Sequence, residues 1–471
     1  MKCDFLIIGS GPAGSVLASE LASKGFKVCI VDRANNLKKS DKNSFIYSPY
    51  VNQCPNYYTP VFSNQLGGNS ALWNNKVYLI SDKEFNSGKW PFSYRELIRY
   101  SFKLAKKFGI NHKDINSVSD KDGLKYSKSK RVKKLGNIFE YLKIRQQKNI
   151  KILANTSPLK LEIKNKKVIS STLISLEKNK KIKIDIKKSI IFCAGGLGNP
   201  HIIQNLIKEK KNLIGKNLCD HSHINLIEIK KDQHKNFIKF GKHFINSRND
   251  QFEQNLFFEK KKYFVGVNLD FIPDPARILK RIFIRSRNKM SKIILSLIIS
   301  YYSFFYKIIM TILSILKIKG KYSLEFFFSQ KKNKKNFVRL NKNEYDKFGL
   351  KKSDINWKIT KKEKVIYNDL ISYFVGKKGK LINDKKQYLF SEDKIYAGLH
   401  PSCTTSISRN KLGGSVDLNL KMYGYKNIYV SGSSVFNNNG FTNPTWTIMT
   451  LSYRLADHLK KININSIIKF A

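Results

Sequence analysis

The sequence predicts an α/β protein organised around a Rossmann-like dinucleotide-binding unit, and two stretches at opposite ends of the chain carry that prediction. Near the start, an apolar run over 4–8 leads into Gly9-Ser10-Gly11-Pro12-Ala13-Gly14, a helix-patterned segment, a second apolar run over 27–31, and then Asp32. Near the end, 428–430 is a short β-rich run stopped by Gly432, and Asn443-Pro444 opens a helical pattern that no Gly or Pro interrupts over 445–459.

The first stretch reads as strand, G-x-G-x-x-G, helix, strand, acid. Gly9 permits the tight turn, Gly11 lets the backbone approach a pyrophosphate, and Gly14 packs helix on strand. Val16, Leu17, Leu21 and Ala22 form the apolar side of the helix. The start of that helix suits phosphates, and Asp32 suits the adenosine ribose. In this context the motif is a strong dinucleotide signal, but alone it does not choose between FAD and NAD. Residues 34–60 are polar and irregular. Gly67-Gly68, followed by Asn69 and Ser70, lets backbone N–H groups come close to a ligand. Trp90-Pro91-Phe92-Ser93-Tyr94 precedes an amphipathic helix to about 108. Residues 111–135 are rich in Lys and Ser and read as surface loop. Strands follow over 150–163, 167–176 and 181–186, with a buried strand over 189–193, after which Ala194-Gly195-Gly196 opens a helix. Residues 263–271 alternate as a sheet strand does, and 324–328 and 337–340 fit two more.

In the second stretch, His400 stands in a small-residue loop. Asn443 is a good N-cap, Pro444 fits the first turn, and Ile448, Leu451, Leu455 and Leu459 recur at helical spacing. A helix start carries partial positive charge, which stabilises negative charge developing on a bound group. Imidazole titrates near neutrality and suits removal of a proton from a hydroxyl. A lone His is more often structural than catalytic; the order of the motifs carries the reading.

The 471 residues suffice for two or three domain-sized units. A hydrophobic share of 41% excludes a disordered chain. Lys and Arg number 88 against 34 Asp and Glu, a net charge of +54. Abundant Lys, Asn and Ile fit A/T-rich coding, but such a charge still draws a protein to anionic surfaces. The lysines are scattered and no nucleic-acid-binding motif accompanies them, so a membrane surface is the favoured partner and nucleic acid is not expected. Six cysteines, with no C-x-x-C pair, fit a reducing cytoplasm, and no metal site is expected. The first strand begins almost at Met1, so no signal peptide is expected.

The terminal motifs together resemble the glucose–methanol–choline (GMC) flavoprotein oxidoreductases. The family's H-x-x-G/C-T loop is matched by His400-Pro401-Ser402-Cys403-Thr404, its G-S-V-V-D run by Gly414-Ser415-Val416-Asp417, its G-S-S-V-F by Gly432 to Phe436, and its N-P-T-x-T-I by Asn443 to Ile448. The G-G-x-S segment is matched by Gly67 to Ser70, W-P-x-S-Y-x-E-L by Trp90 to Leu97, and A-A-G-x-x-G-x-P by 193–200. G-x-x-L-x-D-H is matched by Gly215, Leu218, Asp220 and His221, where the family places a structural His. The resemblance implies a discontinuous FAD-binding domain with an antiparallel-sheet substrate domain. FAD-binding parts fall at 1–80, 150–222 and 395–471, a connecting or cap segment at 81–149, and the substrate domain at 223–394. It implies oxidation of a CH–OH group of an alcohol or sugar by hydride transfer to flavin N5, with His400 as base and Asn443 holding the developing alkoxide. The implied FAD contacts are Gly9, Gly11, Pro12, Ala13, Gly14, Asp32, Arg33, Gly67, Gly68, Asn69, Ser70, Ala194, Gly195, Gly432, Ser433, Asn443 and Thr445. Relatives that bind flavin covalently carry a His where this chain has Leu72, so non-covalent FAD is expected. After the His loop relatives often continue R-M-G; here Ser406-Ile407-Ser408 leaves the substrate and electron acceptor open. A flavin-binding protein without turnover is the alternative. An NAD-dependent dehydrogenase would leave 398–457 unexplained.

Residues 293–316 hold one charge, Lys307, and a polar stripe of Ser296, Ser300, Ser303, Lys307, Thr311 and Ser314 at helical spacing. Basic residues flank them across 277–321. A single membrane span would put Gly9 and His400 on opposite sides, so the stretch is either a buried helix or a monotopic anchor at an anionic inner membrane face. On the second reading the active site faces the bilayer and takes a lipid-linked substrate or passes electrons to a quinone.

Overall fold

A computed structural model describes residues 1–34, 50–52, 63, 65–73, 75–121, 124–131, 135–207, 213–228, 252–260, 263–271, 322–372, 395–397, 400–441 and 443–468. The basic and apolar stretch over 277–321 lies outside the described residues. Among the described residues no helix is long and apolar enough to cross a membrane.

The first sheet is the dinucleotide-binding layer. Its strands run Ile150–Leu153, Val28–Val31, Lys2–Ile8 and Lys180–Phe192 in spatial order, all parallel, with Ile428–Val430 parallel to the end of the last. Three separated parts of the chain therefore build one sheet. The ends of its central strands are continuous apolar runs because a parallel sheet is covered on both faces. Phe5, Leu6, Ile7, Ile190, Ile191 and Phe192 are all fully buried. The helix Pro12–Ala22 buries Val16, Leu17 and Leu21 and packs against the C-terminal helix Thr445–Ile468, which buries Leu451, Leu455 and Leu459 in the same core.

Lys180–Phe192 is one strand of 13 residues, where the sequence suggests two. Its basic first half pairs antiparallel with Lys167–Ser175, and Thr156–Lys164 continues that meander. Its apolar second half enters the buried parallel layer. The composition changes where the environment changes, while the backbone continues.

The second sheet is antiparallel, in the order Ile395–Ala397, Ser222–Glu228, Tyr322–Phe328, Tyr263–Phe271, Phe252–Lys260, Leu124–Arg131 and Lys76–Val77. Ile115–Lys121 pairs with Leu124–Arg131 as a hairpin, which corrects the expectation of a surface loop over 111–135. Hairpin ladders satisfy the backbone whatever the side chains are, so a Lys- and Ser-rich strand shows no apolar alternation to read. A third, small sheet joins Phe337–Tyr345, Lys351–Asn356 and Tyr50–Asn52.

Candidate active site

The glycine-rich turn has the geometry that close packing demands. Gly9 lies at φ +107°, and a Cβ there would stand 2.6 Å from the Cys193 carbonyl oxygen. A Cβ on Gly14 would stand 2.0 Å from the Gly9 carbonyl oxygen, so only glycine lets the helix start seat on the strand end. A Cβ on Gly11, by contrast, would meet nothing within 4 Å. The turn is tight on its protein side and open on the other, as a cradle for a pyrophosphate requires. Pro12 and Ala13 open the helix.

Asp32 tethers this turn. Its Oδ2 accepts from the Ser10 N–H at 2.6 Å and from the Ser10 hydroxyl at 2.6 Å, and its Oδ1 accepts from the Ala34 N–H at 2.8 Å. Carboxylate oxygens keep further lone pairs for a ribose hydroxyl. The Gly67 N–H donates to the Ser10 Oγ at 2.9 Å, which draws the Gly67–Ser70 segment onto the turn. A Cβ on Gly68 would lie 3.3 Å from the Gly11 Cα. Asn69 accepts from the Ser63 N–H, and Ser70 donates to the Gly67 carbonyl. On the opposite flank, Asn199 accepts from the Ala194 N–H at 2.7 Å and donates to the Ser431 carbonyl at 2.9 Å. Gly195 and Gly432 are brought face to face, a Cβ on Gly432 lying 3.6 Å from the Gly195 Cα.

The Arg33 side chain is tied into the protein. Its Nη1 donates to Asp346 Oδ2 at 2.9 Å, its Nε donates to Ser157 Oγ at 3.0 Å, and its guanidinium lies over the Phe348 ring. The side chain that the sequence expects at the cofactor is held by this ion pair. Burial disfavours the Asp346 carboxylate, but His201, the Arg33 charge and the Leu350 N–H outweigh it and hold its pKa below the usual value. Burial pushes His201 down to about 4, so it sits there neutral.

His400 is positioned by a loop docked on three sides. Thr404 Oγ1 donates to the Gly196 carbonyl, Ser433 Oγ donates to the Pro401 carbonyl, and the Cys403 and Thr405 N–H groups donate to the carbonyls of Ser433 and Ser434. The His400 N–H donates to Asp220 Oδ1 at 2.8 Å, and the same oxygen accepts from the His221 N–H at 2.7 Å. One buried carboxylate therefore fixes both histidine backbones.

The rings meet as well: His400 Nδ1 and His221 Nδ1 are 3.2 Å apart. Burial, then the neighbouring His223, drives the His221 pKa down to about 3, so His221 is neutral and carries one N–H. Its Nε2 lies 3.1 Å from the Asn439 carbonyl oxygen, which only accepts, so the proton of His221 sits on Nε2. Its Nδ1 is then an acceptor and takes the Nδ1–H of His400. The unprotonated nitrogen of neutral His400 is Nε2. The sequence reading gave His221 a structural place; the structure gives it contact with the candidate base.

Asn443 is half-buried, just before the helix that begins at Thr445. Trp446 Nε1 donates to Ser101 Oγ, and Thr447 Oγ1 accepts from the Ile80 N–H, which fixes the first turn. The preceding loop hangs on Glu84, which is fully buried. Glu84 Oε1 accepts from the Phe441 N–H at 3.0 Å, while its Oε2 takes the Ser81 N–H and hydroxyl in a capping box. Burial pushes its pKa up against those hydrogen bonds. Asn439 Oδ1 accepts from the Gln330 N–H at 2.9 Å. His400 and the 437–441 segment are thus joined through His221.

Family models match three parts of this chain: FAD binding domain over 2–46, and GMC oxidoreductase over 93–223 and again over 333–452. The two GMC matches together cover more than half of the residues. The chain belongs to the GMC oxidoreductase family. No curated protein matches the sequence. Solved structures that resemble this GMC chain include a pyridoxine 4-oxidase from Mesorbium loti, at TM-score 0.61 and 14% identity over 97% of this chain and 99% of that one. A formate oxidase from Aspergillus oryzae RIB40 reaches 0.64 at 14% identity over 98% and 99%. An FAD-dependent oxidoreductase from Chaetomium thermophilum reaches 0.59 at 14% identity over 98% and 99%. At such identity these neighbours show the shared fold. The family and the cradle at Gly9, Gly11 and Gly14 agree on FAD as the dinucleotide.

Proposed function

We propose that this GMC protein oxidises a CH–OH group of an alcohol or sugar to the carbonyl, with FAD held non-covalently. The observation that carries the reading is the His400–His221 contact, because it leaves the lone pair of His400 on Nε2, the nitrogen that can take a hydroxyl proton. FAD, when bound, supplies the hydride acceptor at flavin N5. His400 removes the hydroxyl proton, and His221 keeps accepting from Nδ1–H as the ring becomes an imidazolium. Asn443 donates a hydrogen bond to the developing alkoxide. The first turn of Thr445–Ile468 adds the partial positive charge of a helix start. Gly9, Gly11, Gly14 and Asp32 hold the pyrophosphate and ribose. Leu72, 44% exposed and without a nucleophile, supports the non-covalent state.

The excess of basic residues supports work at an anionic surface, with a quinone or another membrane-borne oxidant as electron acceptor. The test is the visible spectrum of the purified protein, followed anaerobically as alcohols and sugars are added. Bleaching of a flavin band by one of them is the expected result. His400→Ala should then slow bleaching more than a hundredfold with flavin still bound. Near-normal reduction in that variant would sink the assignment.

A further inference from the structure

Beside the histidines lie two cysteines that the proposed chemistry does not use. Cys219 precedes Asp220, and Cys403 follows His400 by one short turn of loop. Cys219 and Ser402 form an antiparallel bridge: the Cys219 N–H donates to the Ser402 carbonyl at 3.1 Å, and the Ser402 N–H donates to the Cys219 carbonyl at 2.9 Å. Residues paired in this way have Cα atoms about 5.5 Å apart, which brings the next residue of the loop within the range that a disulfide spans.

Side chains alternate along an extended chain, so a regular Cys403 would turn away from Cys219. It does not, because Cys403 lies at φ +70°. That left-handed conformation is routine for glycine and unusual for cysteine. The Cys403 thiol donates to the Ser402 Oγ at 3.5 Å, so its sulfur stands beside the side chain of the residue paired with Cys219, and paired side chains share a face. Both residues are buried. Lys332, anchored by its ammonium on Asn437 Oδ1 at 2.7 Å, is close enough for its charge to act on the sulfurs. Burial opposes ionisation of Cys403, but the neighbouring Cys219 thiol and the Lys332 charge prevail and lower its pKa. The neighbouring Cys403 and burial move the Cys219 thiol the other way.

We propose that Cys219 and Cys403 are a redox-active thiol pair, which hydrogen peroxide oxidises to a disulfide that ties the Asp220–His221 segment to the His400 loop. Cys403 is the attacking sulfur. Its thiolate attacks one peroxide oxygen, an S–O bond forms, the O–O bond breaks, and the departing hydroxide takes up the proton Cys403 has lost and leaves as water. Cys219 then attacks the sulfenic sulfur, the S–S bond forms, the S–O bond breaks, and hydroxide leaves with the Cys219 proton as a second water. Two electrons pass from the sulfurs to the peroxide. The pairing rests on backbone geometry and is independent of the alcohol oxidation proposed above.

The experiment treats the full-length protein with hydrogen peroxide, blocks remaining thiols with iodoacetamide, and maps peptides by mass spectrometry. The expected product is a peptide linking Cys219 to Cys403, with four of the six thiols still alkylated and the link undone by dithiothreitol. Cys403→Gly suits the left-handed backbone and keeps the fold; in it Cys219 should stay alkylatable at the same dose. Cys219→Ser should stop Cys403 at the sulfenic acid, trapped by dimedone. The proposal is overturned if no linked peptide forms while both thiols remain alkylatable. Equal oxidation of Cys219 in wild type and Cys403→Gly, or loss of Cys3, Cys29 or Cys193 at the same rate, also overturns it.

Discussion

His221→Phe tests the orientation of the candidate base. His221 is 1% exposed, so in this variant no water stands in for the lost acceptor and the His400 Nδ1–H is stranded. A hydrogen bond to a charged group is worth about 1.5–3 kcal/mol, and one between neutral groups about 0.5–1.5 kcal/mol. In the transition state His400 is becoming charged, so the larger figure applies. Flavin reduction should slow by about 10- to 150-fold. The difference between the two figures is the extra loss suffered by protonated His400, so the protonated form is disfavoured relative to the wild type. The assay is anaerobic stopped-flow bleaching of the flavin across pH, using an alcohol that reduces the wild type. The acid limb of the rate profile should move to lower pH and the plateau should drop. In His221→Asn the amide oxygen stands near the place of Nδ1 and accepts the same proton, so most of the rate and the position of the limb should return. If both variants are equally slow with the limb unmoved, His221 only packs against His400 and the tautomer argument is wrong. Unchanged rates in His221→Phe refute it too.

Three further outcomes follow from the same contacts. Glu84→Ala strands the Phe441 and Ser81 N–H groups and should cost about 3 kcal/mol in a denaturant titration; because burial raises the folded-state pKa of Glu84, its stability contribution is full below the unfolded pKa and is lost as pH rises through the folded one, so the gap between wild type and Glu84→Gln should narrow over that window. Asp346→Ala leaves the Arg33 cation without its partner and should cost about 3–5 kcal/mol; the Asp346 pKa is lowered, so the wild-type advantage, measured by melts at several pH values, should be present above the unfolded carboxylate range and fade as pH falls through the folded pKa. Gly14→Ala places a methyl 2.0 Å from the Gly9 oxygen and should destabilise the protein by about 1–3 kcal/mol, with less flavin absorbance co-purifying than with the wild type.

The legible parts of the site are those whose meaning is local. Gly9 to Gly14 and Asn443-Pro444 carry their geometry within a few residues, and the spacing of glycines or of apolar side chains states it. His221 and His400 are 179 residues apart, Glu84 and Phe441 are 357 apart, and Arg33 and Asp346 are 313 apart. No periodicity encodes such a meeting. Arg33 follows Asp32 directly, so its nearness to the cofactor motif suggested a cofactor contact, while the partner that claims it lies in the last third of the chain. Cys403 gave no signal in the sequence beyond occupying a position where the family also uses glycine; the positive φ and the bridge between its neighbour Ser402 and Cys219 appear only in three dimensions. One contact could have been read earlier. Ser81-x-x-Glu84 has capping-box spacing, and the structure contains that box, although the second oxygen of Glu84 reaches across to the Phe441 N–H.

The convergence of the motifs has a single geometric cause. In the first sheet Leu153 is paired with Val31, Val31 with Ile8, Ile8 with Phe192, and Phe192 with Val430, all in parallel. The last residues of five strands thus form one row across the sheet. The chain leaves that row at Ala154, Asp32, Gly9, Cys193 and Ser431, so Asp32, the glycine-rich turn, the Ala194–Gly195 helix start and the Gly432 turn stand along one edge. Parallel strands all end on the same side, and ligands of such sheets bind there. His400 is not on a strand of this sheet, but its loop hydrogen-bonds the residues just past that edge, through Gly196 and Ser433. A one-residue slip of the Ile428–Val430 strand would carry Gly432 away from Gly195 and pull the His loop with it. The buried side chains of Ile428, Tyr429 and Val430 make that slip costly, since each would change face and have to repack. The apolar core of the sheet thereby fixes the register on which the reacting residues depend.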